Sequence, residues 1–241
     1  MTKPTIVFVD ADSIAYSAGY CEHDAEMRMS VAGYHKRIME ATGATESVYF
    51  VESPNGKANY RHHIAVTKPY KGNRKGKDKP PYMLDAKRLL HTQYGAQYVV
   101  YMESEDAATI SAHEYGRDHC FIAAIDKDLL MHPGRFYDYR TNELVDITPD
   151  YADYCLCRQL LMGDAVDCIT GLSGIGSKKA DGILGGTPMG ERLAVVAQAY
   201  IERGYDYRYF IEQARLLYIL RRRGEVFTPL TQEQWNNLGG Q

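Results

Sequence analysis

The sequence predicts an α/β fold with a mostly parallel central sheet, followed by a helical region. Apolar runs typical of strands occur at residues 5–9, 47–51, 97–101, 120–125 and 135–139, the last at a sheet edge. Between these runs, apolar side chains recur at helical spacing over residues 25–41, 83–94 and 105–115. Because strands that alternate with helices form βαβ units, most of the strands are expected to run parallel.

After about residue 149 the strand pattern ends. Helical patterns then follow one another, separated by glycine-rich turns, at residues 150–162, 177–184, 191–203 and 206–223. We therefore divide the chain into an α/β region, residues 1–148, and a helical region, residues 149–241.

The composition is that of a soluble globular protein. Of the 241 residues, 45% are hydrophobic and 24% are charged, which argues against a disordered or fibrous chain. No uncharged run approaches the ~20 residues that a membrane-spanning helix needs. The five cysteines show no CxxC spacing and indicate free thiols in a reducing compartment. We therefore expect a cytoplasmic protein with no membrane partner.

Carboxylates follow four of the predicted strands. They are Asp10, Glu52, the group Glu103, Glu105 and Asp106, and the pair Asp126 and Asp128. Ligands of a parallel sheet bind beyond the carboxyl ends of its strands, so these acids are expected to converge. A further pair, Asp164 and Asp167, precedes the glycine-rich segment 171–176. Carboxylates packed together need cations, and a pair of Mg²⁺ or Mn²⁺ ions is a common device for hydrolysing phosphodiesters.

The charge distribution points to a polyanionic substrate. The net charge is −3, but it becomes +7 once ten acids are set aside, namely Asp12 and the nine carboxylates just described. A basic run over residues 68–79 supplies six cations against one acid: Lys68, Lys71, Arg74, Lys75, Lys77 and Lys79. An acidic metal pocket in an otherwise cationic body suits nucleic acid.

Each of these features also has an ordinary structural explanation. An acid at the end of a strand is commonly a helix cap, and Asp12 is expected to be one. A run of lysines and arginines is usually a solvated loop, and a Gly-x-x-Gly-x-Gly segment is often a tight turn. Only their joint occurrence, in this order and at these strand ends, favours a catalytic function.

Read in order, the motifs resemble those of the 5′-nuclease superfamily, the flap endonucleases and the 5′→3′ exonucleases of bacterial polymerases and tailed phages. The family's V-D-G is similar to residues 9–11, its Y-K-x-x-R matches residues 70–74, and its E-x-D-D resembles residues 103–106. Its D-K-D matches residues 126–128. Its glycine-rich helix–three-turn–helix motif resembles residues 163–180, within a predicted element at about 163–184.

The resemblance implies a PIN-like or resolvase-like sheet, a short basic arch at about residues 68–88 and two Mg²⁺ ions. The first ion would take Asp10, Glu103 and Asp106, helped by Glu52 and Glu105, and the second Asp126, Asp128, Asp164 and Asp167. Lys71 and Arg74 would grip the scissile phosphate. DNA contacts would come from Lys68, Lys75, Lys178 and Lys179, from stacking of Tyr70 on a base, and from the backbone at Gly174 and Gly176. A K⁺ ion at the turn is also implied.

The function implied is sequence-independent hydrolysis of DNA from 5′ ends, with 5′-phosphate products, by a monomer. Flaps and RNA–DNA hybrids are further substrates to consider, and replication proteins are candidate partners. If the gene is a phage gene, the location is the host cytoplasm.

Two other interpretations of the function stay open. Residues 7–13 also resemble the aspartyl-phosphate motif of haloacid-dehalogenase-type phosphatases, and residues 163–167 their late acidic motif. That late motif should follow a strand, whereas a helix is predicted here. The other reading is a catalytically silent DNA-binding module, against which the nearly complete set of metal carboxylates argues.

Overall fold

The computed structural model describes residues 5–54 and 59–241. The chain divides into two compact units, each described by itself below. The first, here called the sheet unit, comprises Met1–Asn59, Lys77–Ile147 and Ile219–Arg223. The second, the helical unit, comprises Tyr60–Gly76, Thr148–Tyr218 and Gly224–Gln241, and so includes part of the basic run.

The sheet unit contains a six-stranded sheet in the order β3-β2-β1-β4-β5-β6. Its strands β1 to β5 are parallel, and only β6 runs antiparallel to its neighbour. The strands are β1 (Ile6–Asp10), β2 (Glu46–Glu52), β3 (Gln97–Val99), β4 (Cys120–Ala124), β5 (Gly134–Asp138) and β6 (Glu143–Ile147). The predicted fold class is therefore confirmed.

The helices follow in chain order, and the first, second, fourth and fifth belong to the sheet unit. They are α1 (Asp12–Ala18), α2 (Asp24–Thr42), α3 (Arg61–Ile64), α4 (Met83–Tyr94), α5 (Ser104–Tyr115), α6 (Pro149–Met162), α7 (Ser177–Leu184), α8 (Arg192–Ile201), α9 (Tyr207–Leu217) and α10 (Gln232–Asn237). In the part of the chain that is described, none of them is long and apolar enough to cross a membrane.

Strand β1 is apolar from Ile6 to Val9, as expected of a strand that is covered on both faces. Val7 and Val9 face a core formed with α1, α2 and α4. Ile6 and Phe8 face the other core, formed with α5. All four side chains are at most 6% exposed, so β1 lies at the centre of the unit and its last residue, Asp10, sits at the centre of the carboxyl edge.

Strand β6 was not predicted. It forms a hairpin with β5, and Asn142 in the connecting turn adopts a left-handed conformation, with φ of 62°. The first four residues of β6 are exposed, and Glu143 and Asp146 interrupt its apolar residues, so the strand has no continuous apolar run. Strand β5, expected at an edge, is consequently internal.

The helix expected at residues 206–223 ends at Leu217 instead. Its last turn is closed by the buried guanidinium of Arg61, which donates to the carbonyls of Leu216 and Tyr218 at 3.0 and 2.8 Å. The helices α3 and α10 were also not predicted, and of α1 only a start near Asp12 was. Helix α10 carries Trp235, which is fully buried and stacks on Phe210 with ring centroids 5.2 Å apart.

Candidate active site

Three side chains meet where β1 ends. The Ser104 hydroxyl donates to Asp10 at 2.5 Å and lies 3.2 Å from the Asp12 carboxylate. Asp10 ends β1 and is 4% exposed, Asp12 begins α1, and Ser104 begins α5. The order of the strands thus brings together residues more than ninety positions apart in the sequence.

The surroundings of the Asp10 carboxyl disfavour its ionised form. Burial, together with the charges of Asp12 and Asp126, raises its pKa to about 7, although the hydrogen bond from Ser104 works in the opposite direction. Burial and the neighbouring charges penalise the ionised form, because a buried carboxylate loses its hydration and neighbouring carboxylates repel it. A cation bound at this edge would relieve both penalties.

Asp12 is not the helix cap that was expected. The cap position of α1 is Ala11, and no side chain caps that helix. One Asp12 oxygen instead pairs with the buried ammonium of Lys87 at 2.5 Å, and the other accepts the backbone N–H of Glu52 at 3.0 Å. Asp12 therefore ties the ends of β1 and β2 to helix α4.

Glu103 and Asp106 form a reciprocal capping box at the start of α5. Both are buried, at 3% and 0% exposure. Asp106 accepts the backbone N–H groups of Glu103 and Leu220 at 3.1 and 2.9 Å, and Glu103 accepts the Asn59 amide at 2.9 Å. Two of the acids predicted as metal ligands thus also organise the local backbone.

The remaining acids of the sheet unit lie at the strand ends where they were predicted. Asp126 follows β4 and accepts the backbone N–H of Asp128 at 2.9 Å, at the start of a 3₁₀ turn over Lys127–Met131. Asp128 pairs with the Lys127 ammonium at 3.1 Å. Glu52 ends β2 and Glu105 lies in the first turn of α5, both half-buried.

The oxygen ligands at this edge are of the type that divalent cations bind. Carboxylate oxygens are the ligands that Mg²⁺ and Mn²⁺ prefer, and burial together with neighbouring carboxylates raises the pKa of Asp10. As placed, however, no group of three or more His, Cys, Asp or Glu side chains within residues 5–54 and 59–241 could hold one ion together.

In the helical unit, Asp164 and Asp167 lie in the turn that follows α6. One Asp164 oxygen accepts the backbone N–H groups of Val166 and Asp167 at 2.7 and 3.2 Å. The turn is closed by Gly163 and Gly171, both with positive φ, where an added Cβ would collide with the facing backbone. A helix, not a strand, precedes Asp164, which removes the basis of the phosphatase reading.

The motif over residues 70–74 lies against this turn. The Asp167 carboxylate accepts the Tyr70 hydroxyl at 2.9 Å and pairs with Arg74 at 2.7 Å. The Lys71 ammonium lies 3.6 Å from it. Tyr70 is only 3% exposed and its ring contacts His62, so in this arrangement the ring is not available to stack on a base.

Helix α7 begins at Ser177, after turn residues at 165–168 and 173–174. Gly174 and Gly176 are exposed, as are the side chains of Lys178 and Lys179. Lys179 donates to the carbonyl of Gly174 at 2.9 Å, and Arg203 to that of Ser173 at 2.6 Å. Two carbonyls of the turn thus already accept hydrogen bonds from cationic side chains. Lys68 and Lys75 are also exposed.

Several residues of both sites escaped the sequence analysis. In the sheet unit they are Ser104 and Lys87, and in the helical unit Arg203, Glu212 and Gln213, whose amide oxygen accepts the backbone N–H groups of Thr170 and Gly171. Ser104 lies inside a recognised motif and could have been considered. The others act across long sequence separations, for which one sequence offers no pattern.

This architecture matches the fold of solved 5′-nuclease structures. It is shared by structures of the bacteriophage T5 5′-exonuclease with zinc bound (15% identity, TM-score 0.71) and of the T5 D15 flap endonuclease with DNA and metal ions (15%, 0.65). Each match covers 97% of this chain and 96% of the other. The catalytic core of Rad2 with DNA substrate matches at 15% identity and a TM-score of 0.53, over 95% and 82%. No family model and no curated protein matches the chain.

Proposed function

We propose that this protein is a divalent-metal-dependent nuclease that degrades DNA from its 5′ ends. The observation that carries the proposal is the group of repelling carboxylates at the centre of the sheet edge, with Asp10 at a pKa of about 7, in a chain with this fold. The T5 and Rad2 structures with DNA support DNA as the substrate class.

The proposed ligands of two Mg²⁺ or Mn²⁺ ions are the predicted acids. They are Asp10, Glu52, Glu103, Glu105, Asp106, Asp126 and Asp128 of the sheet unit, and Asp164 and Asp167 of the helical unit. When bound, such ions activate a water and neutralise charge on the scissile phosphate and the leaving 3′-oxygen. The K⁺ ion implied by the resemblance has less support than the two divalent ions. Arg203 and Lys179 already donate hydrogen bonds to two carbonyls of the turn.

The chain's own residues supply the remaining chemistry. Ser104 orients the Asp10 carboxylate by donating to it. Lys71 and Arg74 hold the phosphate and stabilise the charge that develops on it. Lys178 and Lys179 contact the duplex backbone together with the amides at Gly174 and Gly176, while Lys68 and Lys75 attract the strand end. Because none of these groups reads base edges, binding is independent of sequence.

We further propose that exonuclease action predominates over flap cleavage. The described basic loop is short, since a 3₁₀ turn over Gly72–Arg74 is followed by α4 from Met83 onward. A short loop admits a strand end more readily than it threads a long flap. Flaps and RNA–DNA hybrids then remain secondary substrates, and the protein acts as a monomer alongside replication proteins in the cytoplasm.

The test uses end-labelled linear duplex with Mg²⁺, beside a covalently closed relaxed circle of the same sequence. We expect linear DNA to be consumed from its 5′ ends, with 5′-phosphate products, at enzyme levels that leave the circle intact. Products bearing 3′-phosphates, or rapid loss of the closed circle, would overturn the proposal. A generic phosphomonoester serves as the control substrate and should not be hydrolysed.

A further inference from the structure

Three donors of the motif over residues 70–74 converge on a single carboxylate in the helical unit. The Tyr70 hydroxyl and the Lys71 ammonium approach one oxygen of Asp167, at 2.9 and 3.6 Å. The Arg74 guanidinium approaches the other at 2.7 Å. The Asp167 side chain is 16% exposed and that of Lys71 18%, so these contacts are partly shielded from water.

The backbone holds these donors independently of the Asp167 side chain. The N–H of Lys71 donates to the Asp167 carbonyl at 3.0 Å, and the Asn73 amide donates to the Val166 carbonyl at 3.1 Å. Upstream, the carboxylate of Glu212 in α9 accepts the N–H groups of Val66 and Thr67, both at 2.7 Å. The segment is thus anchored at both ends, and removal of the Asp167 charge would leave its three donors in place.

The three donor types are those that bind phosphate oxygens. A hydroxyl, an ammonium and a guanidinium together satisfy an oxyanion with charge-assisted hydrogen bonds. In the structure this cradle (Tyr70, Lys71 and Arg74) holds a carboxylate, which carries one negative charge and two acceptor oxygens.

We propose that Asp167 is an internal competitor for this phosphate cradle. Its carboxylate occupies the cradle while DNA is absent, and a DNA phosphate gains the three donors by displacing it. The inference rests on the proposed function, because it takes DNA as the incoming anion. It gives Asp167 a role that is separate from metal binding, namely that of lowering the affinity for phosphate while keeping the donors assembled.

The displacement is expected to be easy. The Arg74 side chain is 51% exposed, and an ion pair with so exposed a partner contributes little. Asp167 should therefore weaken DNA binding by about fivefold to tenfold, an effect large enough to measure and small enough for DNA to overcome.

The experiment measures the Kd of a 5′-phosphorylated duplex in EDTA at low salt, so that no metal contributes. We expect Asp167→Asn to bind about fivefold to tenfold more tightly than the wild type. The gain should disappear in the Arg74→Gln background, because the cradle has then lost its strongest donor. Circular dichroism checks folding, and Asp167→Ser, which removes the same charge, replaces the asparagine variant if that one does not fold.

A matched control is available in the same unit. Asp181 accepts the Tyr154 hydroxyl at 2.7 Å and the Arg158 guanidinium at 2.6 Å, so Asp181→Asn removes the same charge from similar partners. We expect its Kd to stay within about twofold of the wild type.

Unchanged or weaker binding by Asp167→Asn would overturn the inference, and so would equal tightening by Asp181→Asn, which would indicate a general charge effect. The proposed function is decided separately. A wild type that binds DNA but releases no nucleotide with Mg²⁺ fails as a nuclease, while the Kd values in EDTA still decide the role of Asp167. Absence of DNA binding by every variant would overturn both.

Discussion

Asp10 of the sheet unit and Asp167 of the helical unit are in opposite electrostatic situations. In the sheet unit, Asp10 is buried and has the charges of Asp12 and Asp126 near it, so its ionised form is disfavoured. In the helical unit, Asp167 is surrounded by donors, three of them on the motif over residues 70–74, and Asp164 accepts backbone N–H groups. The negative charge of Asp167 is therefore compensated by side chains within the helical unit, whereas that of Asp10 is disfavoured by its surroundings.

The largest effect is expected for Asp126, whose charge lies close to Asp10. Asp126→Asn keeps an oxygen that can accept the N–H of Asp128 and removes only the negative charge. We expect turnover in Mg²⁺ to fall by about a thousandfold or more, while the Kd for duplex in EDTA stays the same or decreases. Single-turnover rates and binding isotherms test this. Near-normal turnover would contradict the assignment of Asp126 to a metal.

Next in size is the effect of Lys71→Ala. One cation among many contributes little to affinity, but it acts on the reacting phosphate, so turnover should fall about a hundredfold and affinity less than about threefold. Lys77→Ala is the control, since Lys77 is exposed in the same basic run, and both of its parameters should change by less than about threefold. If the two variants lost turnover equally, Lys71 would have no catalytic role.

A third prediction concerns stability and pH. Because the pKa of Asp10 is raised from 3.8 to about 7, the folded protein binds this proton more tightly than the unfolded chain does, and stability is lost as the pH rises through that range. At pH 8 in EDTA, Asp10→Asn should therefore be more stable than the wild type, by about 2 to 4 kcal/mol. At pH 4 the difference should be nearly absent.

Thermal unfolding with and without Mg²⁺ checks this prediction. Saturating Mg²⁺ should stabilise the wild type more than Asp10→Asn, because only the wild type has a charge to neutralise at this position. Asp146→Asn, on the exposed part of β6, is the control and should shift the Tm by less than about one degree. A variant less stable than the wild type at pH 8 would show that Asp10 is already compensated.

The smallest effect belongs to the exposed lysine at the start of α7. Lys178→Ala should weaken duplex binding and reduce the slope of log Kd against log salt by about one, the contribution of a single phosphate contact. Turnover of bound substrate should not change. A salt titration in EDTA measures the slope, and an unchanged slope would remove Lys178 from the DNA-binding surface.

Local patterns predicted most of the fold. The apolar run of β1 and the helices α4 and α7 follow directly from the spacing of apolar residues, and the acids lie at the predicted strand ends. Strand β6 lacks a buried face, so no periodicity marks it. The end of α9 at Leu217 depends on Arg61, which is 155 residues away in the sequence from the carbonyl it binds, and no helical pattern contains that information.

Composition and order predicted which residues make up the proposed site, but not how their side chains pair. The sequence analysis placed Asp12 in a helix cap and Tyr70 against a base, whereas Asp12 pairs with Lys87 and Tyr70 is buried against Asp167. Both contacts depend on the relative position of elements that are far apart in the chain. A motif identifies which residue types are present, and only their packing decides which of them neutralise each other.

The single tryptophan has a practical consequence. Trp235 is fully buried in the helical unit, between Phe210 and Tyr207, and the sheet unit contains only tyrosine and phenylalanine as other aromatic chromophores. Tryptophan fluorescence therefore reports on the helical unit, and a red shift of the emission marks the unfolding of that unit alone. Far-ultraviolet circular dichroism records the secondary structure of both units. A thermal melt followed by both signals would therefore show whether the helical unit unfolds at the same temperature as the sheet unit.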